Sequence, residues 1–114
     1  MTKLTFFERI EENVTILDLN GDITFGEGSV ELRKSIRRLL SEGKKNIHLN
    51  FQSVGYVDSS GIGELISTLT AINREGAELK LLNPSIRVKE LLAICKLLSI
   101  FEICEEEKLF VSYK

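Results

Sequence analysis

The chain has no tryptophan, one methionine, one proline, one histidine and two cysteines among its 114 residues. Each scarcity removes a class of chemistry. With His48 as the sole histidine, no histidine-based metal cluster can form, and a Ser-His-Asp triad would have to recruit that one imidazole. His48 lies between apolar neighbours on a strand pattern, and a surface or edge imidazole is the plain expectation. Cys95 and Cys104 are too far apart for a CxxC motif and sit in apolar runs. They read as reduced, partly buried core residues of a cytoplasmic protein, with no disulfide between them. A strong basic excess is also missing: the formal charge of −2 argues against a nucleic-acid partner. No apolar run approaches the roughly 20 residues that a membrane span needs. Lys3, Glu8, Arg9, Glu11 and Glu12 break up the beginning of the chain, so neither a span nor a signal segment is expected.

What remains is an ordinary globular composition, 43% hydrophobic and 28% charged, enough for one core in a single domain over residues 1–114. Basic residues cluster at Arg33, Lys34, Arg37, Arg38, Lys44 and Lys45, and acidic ones at Glu105-Glu106-Glu107. A solvated helix face and a charged tail account for both.

Hydrophobic periodicity divides the chain into alternating strands and helices. Leu4–Ile10 reads as a strand, Glu12-Asn13 as a hairpin turn, and Val14–Leu19 as the returning strand, broken at Gly21 and briefly resumed at Asp22-Ile23-Thr24. Phe25-Gly26-Glu27-Gly28 is a loop. Ser29 then caps a helix from Val30 to about Ser41, with Leu32, Ile36, Leu39 and Leu40 inward and Gly43 at its end. Asn46–Phe51 alternates polar and apolar residues, as a half-buried strand does. Ile62, Leu65, Ile66, Leu69 and Ile72 mark one face of a helix over 61–74, closed by Gly76. Glu78–Leu82 is a further strand, and Asn83-Pro84 starts a third helix with Val88, Leu91, Leu92, Cys95 and Leu98 inward. Ile100–Ile103 forms a short last strand, while the Glu105–Lys114 tail is readable as helix or as extended chain. The fold class is α/β: a small, mixed but mainly parallel sheet with an initial antiparallel hairpin, packed with three or four helices.

One stretch organises the rest: Gly55-Tyr56-Val57-Asp58-Ser59-Ser60-Gly61-Ile62-Gly63-Glu64-Leu65-Ile66. Asp58, Ser59 and Ser60 stand where a strand hands over to a helix. Their side-chain oxygens suit the unpaired N–H groups of a first helical turn, and that end tolerates an added anion. A serine there can be a cap, a nucleophile or a phosphate acceptor. The nucleophile reading fails on spacing, since Val57 and Ile62 occupy positions where a Gly-x-Ser-x-Gly elbow needs glycine. No Gly-x-x-x-x-Gly-Lys-Ser/Thr loop occurs, so nucleotide binding with slow hydrolysis has only Gly61 and Gly63 behind it. Neither an enzyme nor a cofactor or metal site is expected.

The run Asp58-Ser59-Ser60-Gly61-Ile62-Gly63, preceded by Asn50-Phe51 and Val54-Gly55-Tyr56-Val57, closely resembles the signature of bacterial anti-sigma factor antagonists, the STAS domain family. Leu19-Asn20-Gly21-Asp22-Ile23 is similar to that family's Gly-Glu/Asp-Leu/Ile element, although Thr24 stands where an acidic residue is common. Gly76–Leu81 and Asn83–Val88 resemble its later strand and proline-started helix. The resemblance implies a cytoplasmic switch. An anti-sigma factor with serine kinase activity would phosphorylate Ser59, with Ser60 as the alternative, and a phosphoserine phosphatase would reset the cycle. The unmodified form would capture the anti-sigma factor and free a sigma factor. The expected docking surface comprises Asp58, Ser59, Ser60, Gly61 and Ile62 with the loop at Phe25 and Gly26. Ile62 is either partly exposed there or simply the first inward residue. A second implied role is a non-switching scaffold or accessory subunit of a sensory assembly or a transport ATPase.

Overall fold

A computed structural model describes residues 3–104; the tail expected over Glu105–Lys114 lies outside the described residues. In chain order the elements are β1 (Thr5–Glu11), β2 (Val14–Ile23), α1 (Glu27–Ser41), β3 (Asn46–Val57), α2 (Ser59–Arg74), β4 (Glu78–Leu82), α3 (Ile86–Ile94), a 3-10 turn (Leu98–Ile100) and β5 (Glu102–Cys104). The sheet runs β1-β2-β3-β4-β5, antiparallel at β1/β2 and parallel at every other pairing. This is the mixed sheet that the alternating pattern predicts.

The three parallel crossovers step in one direction across the sheet, so right-handed connections place α1, α2 and α3 on one face. The register then sorts the strands. Leu17, Leu49 and Leu81 align on the helix-covered face and are fully buried. With Leu19, Ile47, Phe51, Leu65 and Ile72 they form the core, each side chain contributing about 1.5–3 kcal/mol of apolar transfer energy. Ile16, His48 and Lys80 align on the opposite face, as do Asp18, Asn50 and Leu82.

That opposite face carries a chain of polar contacts. Arg9 donates to Asp18 and to Glu11, each at 2.6 Å. Asn50 donates to Asp18 at 2.7 Å, and Asn83 reaches Asn50 at 3.5 Å. Burial pushes the Asp18 carboxyl up, but the Arg9 and Asn50 hydrogen bonds and the Arg9 charge outweigh it, so its pKa is lowered.

Several boundaries differ from the sequence reading. β2 does not stop at Gly21; it continues to Ile23 through register shifts at Asp18/Asn20 and Gly21/Asp22, so the glycine sits at an irregularity inside one strand. β3 is likewise one strand of 12 residues, buried on both sides from Ile47 to Phe51. As the middle strand of five it has a neighbour on each edge, and on the face away from the helices His48 is flanked by Ile16 of β2 and Lys80 of β4. α1 begins at Glu27 with Gly26 as its N-cap. Ser29 lies inside the first turn, and its hydroxyl donates back to the Thr24 carbonyl.

Ser85, not Asn83, caps α3, accepting from the Val88 N–H at 3.2 Å. Asn83 instead takes a positive φ of 53° and donates its N–H to the Cys104 carbonyl of β5. α3 ends early because Lys96 adopts φ 59°, with the Lys96 and Leu97 N–H groups bonded to Ala93 and Leu92. Cys95 is therefore exposed rather than part of an inward stripe, Leu98 is 38% exposed, and Cys104 is half-buried; both thiols are free. β5 starts at Glu102, later than expected. The basic residues of α1 are partly paired: Arg33 bonds Glu64 of α2, and Arg38 bonds Glu8 of β1 and Glu42. Among the described residues no helix is long and apolar enough to cross a membrane.

His48 departs most from expectation. It is 5% exposed, in the central strand, and its Nδ1 has no hydrogen-bond partner among the described residues. Burial first, and the Lys80 charge second, hold its pKa below the ordinary 6.5. The unfolded chain therefore binds a proton that the fold resists, and stability falls as pH drops below 6.5. Urea denaturation across about pH 7.5 to 5.5 is expected to show this loss in the wild type and a smaller one in His48→Gln. An unchanged slope in the variant would assign the pH dependence to other groups.

Candidate functional site

The strand-to-helix junction after β3 is built by a small set of short contacts. Val57 ends the strand, and Asp58 follows in an extended conformation (φ −96°, ψ −175°) as the N-cap of α2. Asp58 Oδ1 accepts from the Gly61 N–H at 2.8 Å, while the Asp58 carbonyl accepts from the Ile62 N–H at 2.9 Å. The helix thus starts at Ser59, two residues before the expected position. In the other direction, the Asp58 N–H donates to the Ile23 carbonyl at 3.3 Å, tying the junction to the last residue of β2.

The same carbonyl explains one glycine of the motif and not the other. A Cβ on Gly61 would lie 2.0 Å from the Ile23 oxygen and 2.9 Å from Val57 Cγ1. A Cβ on Gly63 would meet nothing within 4 Å. Gly61 lets the first turn of α2 lie directly on the end of β2; Gly63 has no such role in this fold.

Ser59 and Ser60 occupy the first two positions of α2, and both are exposed. Neither hydroxyl is engaged among the described residues. No acidic residue falls in this turn, and the Asp58 cap sets one negative charge against its free N–H groups. A hydroxyl at this end can accept a phosphoryl group without disrupting a bond the fold relies on.

Ser59 and Ser60 are nonetheless not equivalent. A groove of about 450 Å³ runs between the start of α2 and α3. Tyr56, Ser59 and Ile62 line one side, and Arg87, Leu91 and Ile94 the other; Ser60 is not among its walls. Ile62 is half-buried, packed on the core and also facing this groove, so both expectations for it hold together. The α3 wall was missed from sequence. In the structure Arg87 and Ile94 are exposed on this short helix, Ile94 at 78%.

The loop of Phe25 and Gly26 stands at the same end of the sheet, since it directly follows Ile23. It opens on a different hollow, of about 680 Å³, shared with Leu4, Phe6 and Val30. Phe25 is 88% exposed. The structure therefore joins Asp58, Ser59 and Ile62 in one groove and leaves Phe25 and Gly26 beside it. Among the described residues no group of three or more His, Cys, Asp or Glu could hold a metal ion.

Comparison with known proteins bears on this site. The STAS domain family model matches residues 8–110. The anti-sigma-B factor antagonist of Staphylococcus aureus (strain NCTC 8325 / PS 47) is 32% identical over 75 residues, covering 66% of this chain and 69% of that protein. Among solved structures, the Thermotoga maritima protein TM1081 superposes with a TM-score of 0.80 at 24% identity, over 96% of this chain and 95% of that one. The Bacillus cell fate determinant SpoIIAA in its phosphorylated form gives 0.72 at 20% identity, over 96% and 100%. Its unphosphorylated form, described as an anti-sigma factor antagonist, also gives 0.72, at 18% identity over 96% and 97%.

The two glycines give a direct check of this geometry. Gly61→Ala is expected to destabilise the fold by about 1–3 kcal/mol or more, because the clash is with backbone. Gly63→Ala, in an open helical position, is expected to stabilise it by up to about 1 kcal/mol. Urea midpoints of the two variants decide the matter, and equal midpoints would refute the close approach at Ile23.

Proposed function

The chain belongs to the STAS domain family, and from that premise we propose that it is an anti-sigma factor antagonist, a binding module switched by phosphorylation of Ser59. The observation that carries the reading is the exposed, unengaged Ser59 hydroxyl at the capped start of α2, opening on a groove. The unmodified form captures an anti-sigma factor with its α2 end and so frees a sigma factor. A serine kinase, which the captured partner itself supplies, transfers the γ-phosphoryl group of ATP to Ser59 Oγ. ADP leaves, and the hydroxyl proton passes to a base of the kinase. A phosphatase returns the serine by hydrolysis.

Physical chemistry supports both halves of the switch. The phosphate adds about −1.5 to −2 charges. Within the free domain, the N–H groups and dipole of α2 offset part of that charge, so the fold persists. Within a complex the same dianion would lose its water at the interface, which costs on the order of several kcal/mol. SpoIIAA, whose fold this chain shares, is known in phosphorylated and unphosphorylated forms, which supports the reading by analogy. Ser59 is preferred over Ser60 because only Ser59 lines the groove. Asp58, Ser60 and Ile62 complete the docking surface, with Phe25 and Gly26 at its side; Gly61, expected there from sequence, is buried against β2 and supports the surface from beneath.

Incubation with a cognate anti-sigma kinase and ATP, followed by mass spectrometry, tests the assignment. One phosphate is expected on the wild type, lost in Ser59→Ala and retained in Ser60→Ala. Ser59→Asp is expected to stay folded and to bind the anti-sigma factor at least about tenfold more weakly, about 1.4 kcal/mol. Retention of the phosphate in Ser59→Ala would move the site to Ser60. Absence of incorporation with every candidate kinase would favour the non-switching scaffold.

A further inference from the structure

We propose that Arg87 binds the phosphate: once Ser59 is modified, the Arg87 guanidinium pairs with it across the groove between α2 and α3. The inference rests on the Ser59 reading above and adds what holds the modified form.

Arg87 is the second residue of α3, and its placement is fixed by its neighbours. The Ser85 hydroxyl accepts from the Val88 N–H at 3.2 Å, and Val88 is buried in the core, so this turn is anchored at both ends. The Arg87 side chain is exposed and lines the same groove as Ser59. Among the described residues the titratable groups lining that groove are Tyr56, Asp58, Arg87, Glu90 and Cys95, and Arg87 is the only cation of that set. Arg9, Arg33 and Arg38 are each held in ion pairs elsewhere in the fold. Among the described residues Arg87 has no such pair, not even with Glu90 one turn along its own helix.

These facts matter once charge is added. Without Arg87, a phosphate on Ser59 would share the groove with the carboxylates of Asp58 and Glu90 and with no cation among the described residues. With it, the dianion lies between the N–H groups of α2 and a guanidinium, whose planar fork donates two parallel hydrogen bonds to phosphate oxygens. The pair also spans the groove, so the modified chain screens the apolar lining at Ile62 and Leu91 that the unmodified chain offers. Phosphorylation then alters access as well as charge, and Arg87 couples the two.

The test installs phosphoserine at residue 59 during synthesis by genetic encoding, so no kinase is required, and follows its titration by phosphorus NMR. Free phosphoserine loses its second proton near pH 6. In the wild-type background this pKa is expected to lie below that of Arg87→Gln by about half a unit or more, roughly a threefold change in the ionisation constant. Arg87→Lys should recover only part of the shift, as a point charge without the fork. Phosphoserine encoded at residue 60 should titrate alike in the wild-type and Arg87→Gln backgrounds. Equal constants for residue 59 in the two backgrounds, with the variant folded by amide NMR, would overturn the proposal. So would an equal shift at residue 60, which would reduce the effect to net charge. Failure of every kinase to modify Ser59 would instead overturn the switch itself, and it is read in a separate experiment.

Discussion

The carbonyl oxygen of Ile23 is the contact on which the site depends. It accepts from the Asp58 N–H and leaves no room for a side chain at Gly61. These two constraints fix how closely α2 approaches the sheet and where its first turn begins. Asp58 then caps that turn, and its carboxylate answers one of the N–H groups that a helix start leaves unpaired. The serines are carried outward as a consequence. Ser59 is presented by a helix start tied to β2 rather than by a loose loop.

Much of this was legible because it is local. The Asp58 cap, the β4 strand and the helix closure at Gly76 all follow from a few consecutive residues, and each lies where the pattern predicts. The readings that failed depended on distant parts of the chain. His48 alternates with apolar residues as an outward position would, yet β2 and β4 flank its strand on both sides. Asn83 is as good a cap residue as Ser85, but its N–H is engaged by Cys104 of β5. The α3 stripe predicts Cys95 inward; a left-handed Lys96 stops the helix first. Nothing near Ser59 in the sequence announces Arg87, because the groove joins two helices separated by the whole of β4.

The two glycines of the motif separate pattern from requirement. Both belong to the stretch through which the chain resembles its family, yet only Gly61 meets the backbone of another strand. Gly63 faces open space at the same end of the molecule. A position that the fold does not need is free to answer to something outside it.

The strand order carries a further consequence for how such a chain is made. Each strand pairs with the one synthesised just before it, from β1 through β5. The sheet can therefore grow at a single advancing edge as the polypeptide leaves the ribosome, with no early strand waiting for a late one to slot in beside it. Parallel sheets usually assemble slowly because they join remote segments. Here each crossover is one α-helix long, with a short 3-10 turn added before β5, and the growing sheet exposes one unfinished edge at a time.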